Sequence, residues 1–157
     1  MRRTSMGNAN CPVARSLDAI GDWWTLLIVR DAFNGARRFG DFQRNLGLAK
    51  NILSRRLRKM VADDILELRP ASDGSAYKEY HLTKKGLQLR VVLVALRQWG
   101  EDNLFSPGEP MLVMVDKKKN EPLRRLRLTA RDGRALAAMD VVIKEGHADE
   151  NVDAGQP

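Results

Sequence analysis

The chain has 157 residues, of which 43% are hydrophobic and 30% charged, and its formal net charge is +7. This composition is typical of a folded protein with one domain, or one domain and a small appendix, and excludes a disordered chain. A single cysteine excludes an intrachain disulfide framework and a zinc site built from several cysteines. The longest apolar runs, residues 23–29 and 91–96, are far shorter than the ~20 residues of a membrane-spanning helix. We therefore expect a cytoplasmic protein with no metal, no cofactor and no membrane partner.

The positive charge is concentrated between residues 36 and 60. This window contains eight basic residues and one acidic residue, which accounts for the whole net charge of +7. A cationic segment on an otherwise neutral chain indicates a surface that binds a polyanion, and a merely solvated basic helix face is the alternative. A second basic stretch, residues 116–131, is offset by an acidic tail and is interpreted as surface patterning.

The first part of the chain predicts four short helices. Apolar spacing predicts helices over residues 12–20 and 23–33, with Asp22 as the N-cap of the second. A helix over residues 39–46 follows, and Gly47 separates it from a helix over residues 49–62. The last helix has an apolar stripe and, opposite to it, a cationic face. The stripe is formed by Leu53, Leu57, Met60 and Val61, and the cationic face by Asn51, Arg55 and Arg58. Two helices joined by a glycine-containing turn, the second cationic on its free face, predict a helix-turn-helix.

A β-hairpin and a long helix are predicted next. Strands over residues 65–70 and 77–82 flank the turn Asp73-Gly74-Ser75, and Thr83 caps a helix over residues 84–99. This order predicts a winged helix-turn-helix. The wide apolar face of the long helix indicates a dimer seam, and packing on the first helix is the alternative.

The rest of the chain predicts a small appendix. Residues 100–110 form a boundary, and three period-two runs predict strands within residues 111–145. Residues 1–9 and 146–157 are predicted to be flexible termini. The predicted fold class is therefore mainly α with a small β content: an α+β winged helix-turn-helix with a C-terminal β-rich appendix.

Five short motifs occur in order along the chain: residues 11–15 (CPVAR), 21–31 (GDWWTLLIVRD), 38–42 (RFGDF), 53–57 (LSRRL) and 79–86 (EYHLTKKG). Together they resemble the HxlR-type winged helix-turn-helix regulators of bacteria and archaea, over about residues 10–104. The resemblance implies a homodimeric DNA-binding transcription factor. It also implies that the cationic helix enters the major groove, that the hairpin is a wing over the minor groove, and that the first and last helices form the dimer. The chain departs from the family at Ala49, where a serine or a similar N-cap is common, and its appendix lacks the cysteine pairs expected in some relatives.

The chemistry of the cationic segment separates base readers from phosphate contacts. Arginine and asparagine bind guanine and adenine edges through paired hydrogen bonds, so the candidate base readers are Asn51, Arg55 and Arg58, with Ser54 as a small adaptable contact. The candidate phosphate contacts are Arg37, Arg38, Arg44, Lys50 and Lys59, together with Ser75 and Lys78 on the wing, where a solvated turn is the alternative. Arg56 lies toward the apolar stripe, which favours packing or an ion pair.

Two further sites are hypotheses for effector sensing. Cys11 precedes a helix start, where backbone N–H groups can lower the pKa of a thiol, and some relatives sense oxidants through an N-terminal cysteine. A small buried residue at the dimer seam is the alternative. Four aromatic residues are candidates for a small-ligand pocket, with aromatic core packing as the alternative: Trp23, Trp24, Trp99 and Phe105.

The sequence thus predicts a DNA-binding repressor that acts as a homodimer on a pseudo-palindromic operator, with a small molecule or an oxidant as a candidate effector. The chain has no P-loop, nucleophile elbow or dinucleotide-binding motif, so we do not expect an enzyme. The alternative function is a basic RNA-associated or protein-interaction module on a winged-helix scaffold.

Overall fold

The computed structural model describes residues 5–146, and the chain divides into two compact units between Phe105 and Ser106. The first unit contains five helices and one hairpin in the order that the sequence predicts. The elements are α1 (Pro12–Ile20), α2 (Trp23–Phe33), α3 (Phe39–Leu46), α4 (Lys50–Ala62), β1 (Leu66–Pro70), β2 (Lys78–Leu82) and α5 (Lys84–Asn103). This arrangement confirms the winged helix-turn-helix. Helix α5 continues through Gly100, four residues beyond the predicted end.

Helix α2 lies at the centre of the core. Its residues Ile28, Val29 and Ala32 are fully buried and pack with Phe42 of α3 and Leu53 of α4. The helix begins where the Asp22 carboxylate accepts a hydrogen bond from the Thr25 N–H, as an N-cap residue does. The N-terminal end of α2 is less buried than its middle, because Trp23 is exposed.

Helices α3 and α4 form the helix-turn-helix. Gly47 ends α3 with a φ of +63°, a left-handed conformation that glycine adopts without steric cost. Ala49 then occupies the N-cap position of α4 and makes no capping hydrogen bond through its side chain. The stripe of α4 that contains Leu53, Leu57 and Met60 is buried, which fixes the rotation of the helix on the core.

Strands β1 and β2 pair antiparallel from Leu66 opposite Leu82 to Pro70 opposite Lys78. We call the hairpin of residues 66–82 the wing. Its second strand is fastened to the α2–α3 loop, because the N–H of Tyr80 donates to the carbonyl of Arg37 at 2.7 Å. The Tyr80 ring also meets the Phe42 ring edge-on, with 6.2 Å between the ring centroids.

Hydrogen bonds and a close backbone contact connect the end of the wing to the start of α5. Thr83 caps α5, because its Oγ1 accepts from the N–H of Gly86 at 3.0 Å. The hydroxyl of Thr83 donates to the carbonyl of Asp64 at 2.6 Å. A Cβ atom on residue 86 would lie only 2.2 Å from the carbonyl oxygen of Ile65, so this contact requires glycine.

The second unit differs from the predicted β-rich appendix. Its described part, residues 106–146, has two isolated bridges, Val115–Pro122 and Thr129–Ala135, and a short 3-10 helix (Ala138–Asp140), but no strand. The three predicted strands are therefore wrong over these residues. Each run is short, and an isolated two-stranded hairpin is marginally stable at best. Of the two predicted flexible termini, residues 1–4 and 147–157 lie outside the described residues.

Candidate nucleic-acid interface

Helix α4 presents a cationic face to solvent. The side chains of Lys50, Arg55 and Arg58 are exposed on the side opposite the buried Leu53 and Leu57. Within the described residues these three cations make no hydrogen bond and no ion pair with the rest of the chain. No group in residues 5–146 therefore occupies their donors, which can bind an external partner.

The two smaller candidate base readers lie on the same helix. Asn51 is exposed, and its Oδ1 accepts a hydrogen bond from the N–H of Ile52 at 2.9 Å. This bond reaches an N–H of the first turn, as a cap would, and it leaves one lone pair of Oδ1 and the Nδ2 donors for a base. Ser54 is half-buried beside the apolar stripe.

The candidate phosphate contacts of the helix-turn-helix are mostly engaged inside the chain. The Arg37 guanidinium donates to the carbonyls of Ala32 at 2.6 Å and Ala36 at 2.9 Å, near the end of α2. Arg44 lies 2.8 Å from a carboxylate oxygen of Asp41. Lys59 pairs with the carboxylate of Asp63 at 2.6 Å. A phosphate would have to compete with these partners, whereas Lys50 has no such partner in the part of the chain that the structure describes.

Asp41 organises the start of α3. Its Oδ2 accepts from the backbone N–H groups of Arg38 at 3.0 Å and Arg37 at 3.2 Å. These hydrogen bonds, together with the charge of Arg44, outweigh burial and lower the pKa of Asp41. The carboxylate therefore stays ionised and fixes the loop that carries both arginines.

The wing contains a network of charged groups that the sequence prediction missed. Arg38 pairs with Asp73 in the wing turn at 2.5 Å, and its Nε lies 3.8 Å from the carboxylate of Glu79. Hydrogen bonds from Ser75 and Arg38 lower the pKa of Asp73 far below its usual range. The one signal of this network in the sequence is the presence of Asp73 and Glu79 in the hairpin, because acidic residues are not expected on a surface that binds a polyanion.

The predicted wing contacts lie at the two ends of this turn. Ser75 is half-buried, and its N–H donates to the carboxylate of Asp73 at 3.0 Å. Lys78 is exposed at the start of β2. On the partner strand, Arg69 forms an ion pair with Glu67.

Arg56 connects α4 to α2. Its guanidinium forms an ion pair with Asp22, and both side chains are largely buried. The sequence favoured packing or an ion pair for Arg56, and the structure identifies the partner. On β2, burial raises the pKa of Tyr80, and the positive charge of Arg58 opposes that shift.

The residues of the two hypothetical effector sites are mostly exposed. Cys11 is exposed at the N-cap position of α1. Trp23 and Trp24 meet edge-on with 5.6 Å between ring centroids, while Trp99 and Phe105 are exposed. A cavity of about 280 Å³ between α1, the start of β1 and α5 is lined by other residues: Arg15, Ser16, Ala19, Ile20, Ile65, Lys85 and Leu89. The predicted aromatic pocket is therefore separate from this cavity.

The fold and the free cationic helix define a winged helix-turn-helix protein of the kind that binds nucleic acid. Residues 19–107 match the model of the HxlR-like helix-turn-helix family, and the chain belongs to this family. Membership implies DNA binding and confirms the resemblance found in the sequence motifs. Among the described residues, no helix has the length and apolar character needed to cross a membrane.

Three relatives illustrate the similarity. The uncharacterised HTH-type transcriptional regulator Rv3095 of Mycobacterium tuberculosis (strain ATCC 25618 / H37Rv) is 36% identical over 134 residues, which cover 85% of each chain. The crystal structure of PA1607, a candidate transcription factor, is 51% identical with a TM-score of 0.86, over 91% of this chain and 100% of that one. The oxidised form of the redox regulator HypR is 30% identical with a TM-score of 0.54, over 61% of this chain and 100% of that one. The family and these relatives are transcriptional regulators and not enzymes.

Proposed function

We propose that this protein is a homodimeric repressor that reads a pseudo-palindromic DNA operator with α4. The observation that carries the proposal is the unpaired cationic face of α4, where Lys50, Arg55 and Arg58 have no partner within the described residues. Burying Leu53 and Leu57 turns this face outward, and an α-helix fits the major groove of B-DNA.

The contact that we propose for each side chain with DNA follows from its chemistry. Arg55 and Arg58 bind guanine edges, and Asn51 and Ser54 contact neighbouring bases. Lys50 at the start of α4 and Lys78 on the wing hold phosphates, and Arg44 and Lys59 do so when the phosphate displaces their carboxylate partners. The wing lies over the flanking minor groove.

Dimerisation is supported by apolar side chains that the single chain leaves in water. Helix α1 has no buried residue, and Val13 is 65% exposed. On α5, Val91 is 62% and Trp99 is 59% exposed. Exposed apolar surface of this kind on two helices is typical of a protein–protein interface. A two-fold dimer would place two α4 helices at half-sites about 34–36 Å apart, one turn of DNA, or a multiple of that distance.

The test is selection of random duplexes with the purified protein, followed by fluorescence anisotropy on the selected and a scrambled sequence. We expect a palindromic preference that persists when salt rises from about 50 to about 200 mM, because base contacts survive screening better than phosphate contacts alone. Equal binding to both duplexes would contradict the proposal. Repression would be measured by transcription in vitro from a promoter that contains the selected site.

A redox response of the regulator is a second candidate function. Its support is the exposed thiol of Cys11 and the likeness to HypR, which is a redox regulator. With one cysteine per chain, oxidation would have to give a disulfide between two subunits or a mixed adduct. C11S should abolish any effect of diamide on DNA affinity, and an unchanged response in C11S would contradict the hypothesis.

A further inference from the structure

We infer that Arg38 is a positioning residue, which holds the wing against the helix-turn-helix by neutralising two wing carboxylates instead of binding a DNA phosphate. This inference rests on the proposed function in that it names what aligns the wing with α4 on DNA. It replaces the phosphate contact that the sequence predicted for Arg38.

The first support is the geometry of the arginine. Its backbone is fixed at the start of α3, where its N–H donates to Asp41 at 3.0 Å. Its Nη2 lies 2.5 Å from Asp73 in the wing turn, and its Nε lies 3.8 Å from Glu79 on β2. The guanidinium also lies 5.8 Å from the centroid of the Tyr77 ring. One side chain therefore contacts the wing turn, the residue before β2 and β2 itself.

The second support is the burial of Glu79. This residue is only 5% exposed, so its negative charge needs compensation inside the protein. Its Oε1 accepts from the backbone N–H of Ser72 at 3.3 Å and from the Ser72 hydroxyl at 3.1 Å. Its Oε2 lies 3.2 Å from Nε2 of His81. Arg38 is the arginine that adds a full positive charge to this cluster, and without it the two carboxylates would keep only their contacts with Ser72, Ser75 and His81.

The third support is the contrast with α4. Lys50 and Arg55 have no internal partner in the described part of the chain, whereas Arg38 faces the carboxylates of Asp73 and Glu79. A phosphate that took the place of these carboxylates at Arg38 would leave Glu79 buried without its counter-charge.

The sign of the effect of D73N on DNA affinity tests the inference. Asparagine can keep the turn, because its side-chain oxygen still accepts from the Ser75 N–H, but it removes the charge that Arg38 holds. A positioning role predicts affinity about tenfold weaker, even though a negative charge has been removed next to a polyanion. If Arg38 binds phosphate, D73N frees it and the affinity is unchanged or tighter, which would overturn the inference.

The matched control is D132N in the second unit. Asp132 also lies in a turn and also pairs with an arginine, with 3.0 Å between its Oδ2 and Nε of Arg134. D132N removes the same charge from the second unit and leaves the contacts of the wing as they are, so we expect no loss of affinity. A loss equal to that of D73N would overturn the inference.

The variants R38K and R38A also distinguish a positioning role of Arg38 from a phosphate contact. Lysine can replace arginine at a phosphate but cannot reach two carboxylates with one fork. We therefore expect R38K and R38A to be weakened alike, with the slope of log K against log salt unchanged. Nearly normal affinity in R38K together with a slope reduced by about 0.9 in R38A would identify a phosphate contact and overturn the inference.

Two readouts separate this inference from general destabilisation and from failure of the proposed function. In footprints on the selected duplex, R38A and D73N should lose protection at the flanks, where the wing lies, and keep the central protection by α4. In the free protein, amide hydrogen exchange of residues 71–78 should be faster in both variants and unchanged in D132N. The exchange needs no DNA, so it still tests the anchoring of the wing if the wild type selects no duplex. Unchanged exchange in R38A and D73N would overturn the inference.

Discussion

Arg56 of α4 forms an ion pair with Asp22, the N-cap residue of α2. The other carboxylate oxygen of Asp22 accepts from the N–H of Thr25 at 3.1 Å. A single carboxylate therefore starts the central helix of the core and also holds the helix that carries the cationic face. Nε of Arg56 is buried and has no hydrogen-bond partner in the described part of the chain. The charge of the guanidinium is therefore balanced mainly by its ion pair with Asp22.

Two substitutions can separate the roles of Asp22 as an N-cap and as an ion-pair partner. D22N keeps an oxygen for the N-cap but removes the charge, and we expect it to lower the free energy of unfolding by about 1–2 kcal/mol because Arg56 is left half-buried without a counter-charge. D22A also removes the cap and should cost about 1 kcal/mol more. Urea unfolding measures both. Equal stability of D22N and the wild type would show that the ion pair contributes nothing.

Base contacts and phosphate contacts should differ in their mutational signatures. We expect R55A and R58A each to cost about 1–3 kcal/mol of binding to the selected duplex and to relax the preference at one position. K50A should weaken all duplexes alike and reduce the salt slope by about 0.9. R134A, an exposed arginine of the second unit, removes the same charge and is the control. If R134A weakens binding as much as R55A does, the effect is one of net charge and not of base readout.

The poor cap of α4 can be improved. Ala49 already has an extended backbone, with φ −60° and ψ 139°, but no side-chain acceptor. We expect A49S to raise the free energy of unfolding by about 1 kcal/mol, because serine can accept a hydrogen bond from the first turn of the helix. A62S, at the other end of α4, is the control and should stabilise nothing. Thermal and urea unfolding would measure the difference, and a gain shared by A62S would rule out capping as the cause.

The proposed dimer can be disrupted by one charge. V91E places a carboxylate on the exposed apolar face of α5, and we expect it to shift the protein to a monomer, because an unpaired charge is costly to bury in an interface. Light scattering after size exclusion measures the mass. I143E adds the same charge at a fully exposed residue of the second unit and should leave the mass unchanged. A wild-type protein that is monomeric at all concentrations would contradict the homodimer itself.

Glu79 predicts a specific dependence of stability on pH. Burial alone would raise its pKa, but hydrogen bonds from Ser72 and His81 and the charge of Arg38 lower it overall. Because the folded pKa is below the unfolded value of about 4.3, the carboxylate stabilises the fold above that pH, and the contribution is lost as the pH falls through the folded pKa.

We therefore expect E79Q to be less stable than the wild type at about pH 7, and the difference to shrink below about pH 4. Urea unfolding across this range is the measurement. E109Q, in the second unit, is the control for removing a glutamate charge. A difference between E79Q and the wild type that is constant with pH would show that ionisation of Glu79 does not contribute.

Local patterns in the sequence determined most of the first unit. The spacing of Leu53, Leu57 and Met60 predicted both the helix and its outward cationic face, because a helix repeats every 3.6 residues and one side must be buried. Asp22, Gly47 and Thr83 marked helix boundaries through capping and backbone conformation, which depend on near neighbours only. The same local logic failed for residues 111–145, because a period-two pattern forms a strand only when another strand pairs with it, and no such pairing extends beyond isolated bridges in the described residues.

The partners of the charged side chains were decided by the tertiary structure. Arg38 and Asp73 are 35 residues apart in sequence and 2.5 Å apart in the fold. Arg38 and Arg55 are equally basic in the sequence. They differ because folding brings two carboxylates to Arg38 and, within the described residues, none to Arg55. Long-range ion pairs depend on how the wing packs on the helix-turn-helix, which no local periodicity encodes. The sequence alone therefore located the cationic helix, and the fold determined which of its neighbouring charges remain free to meet DNA.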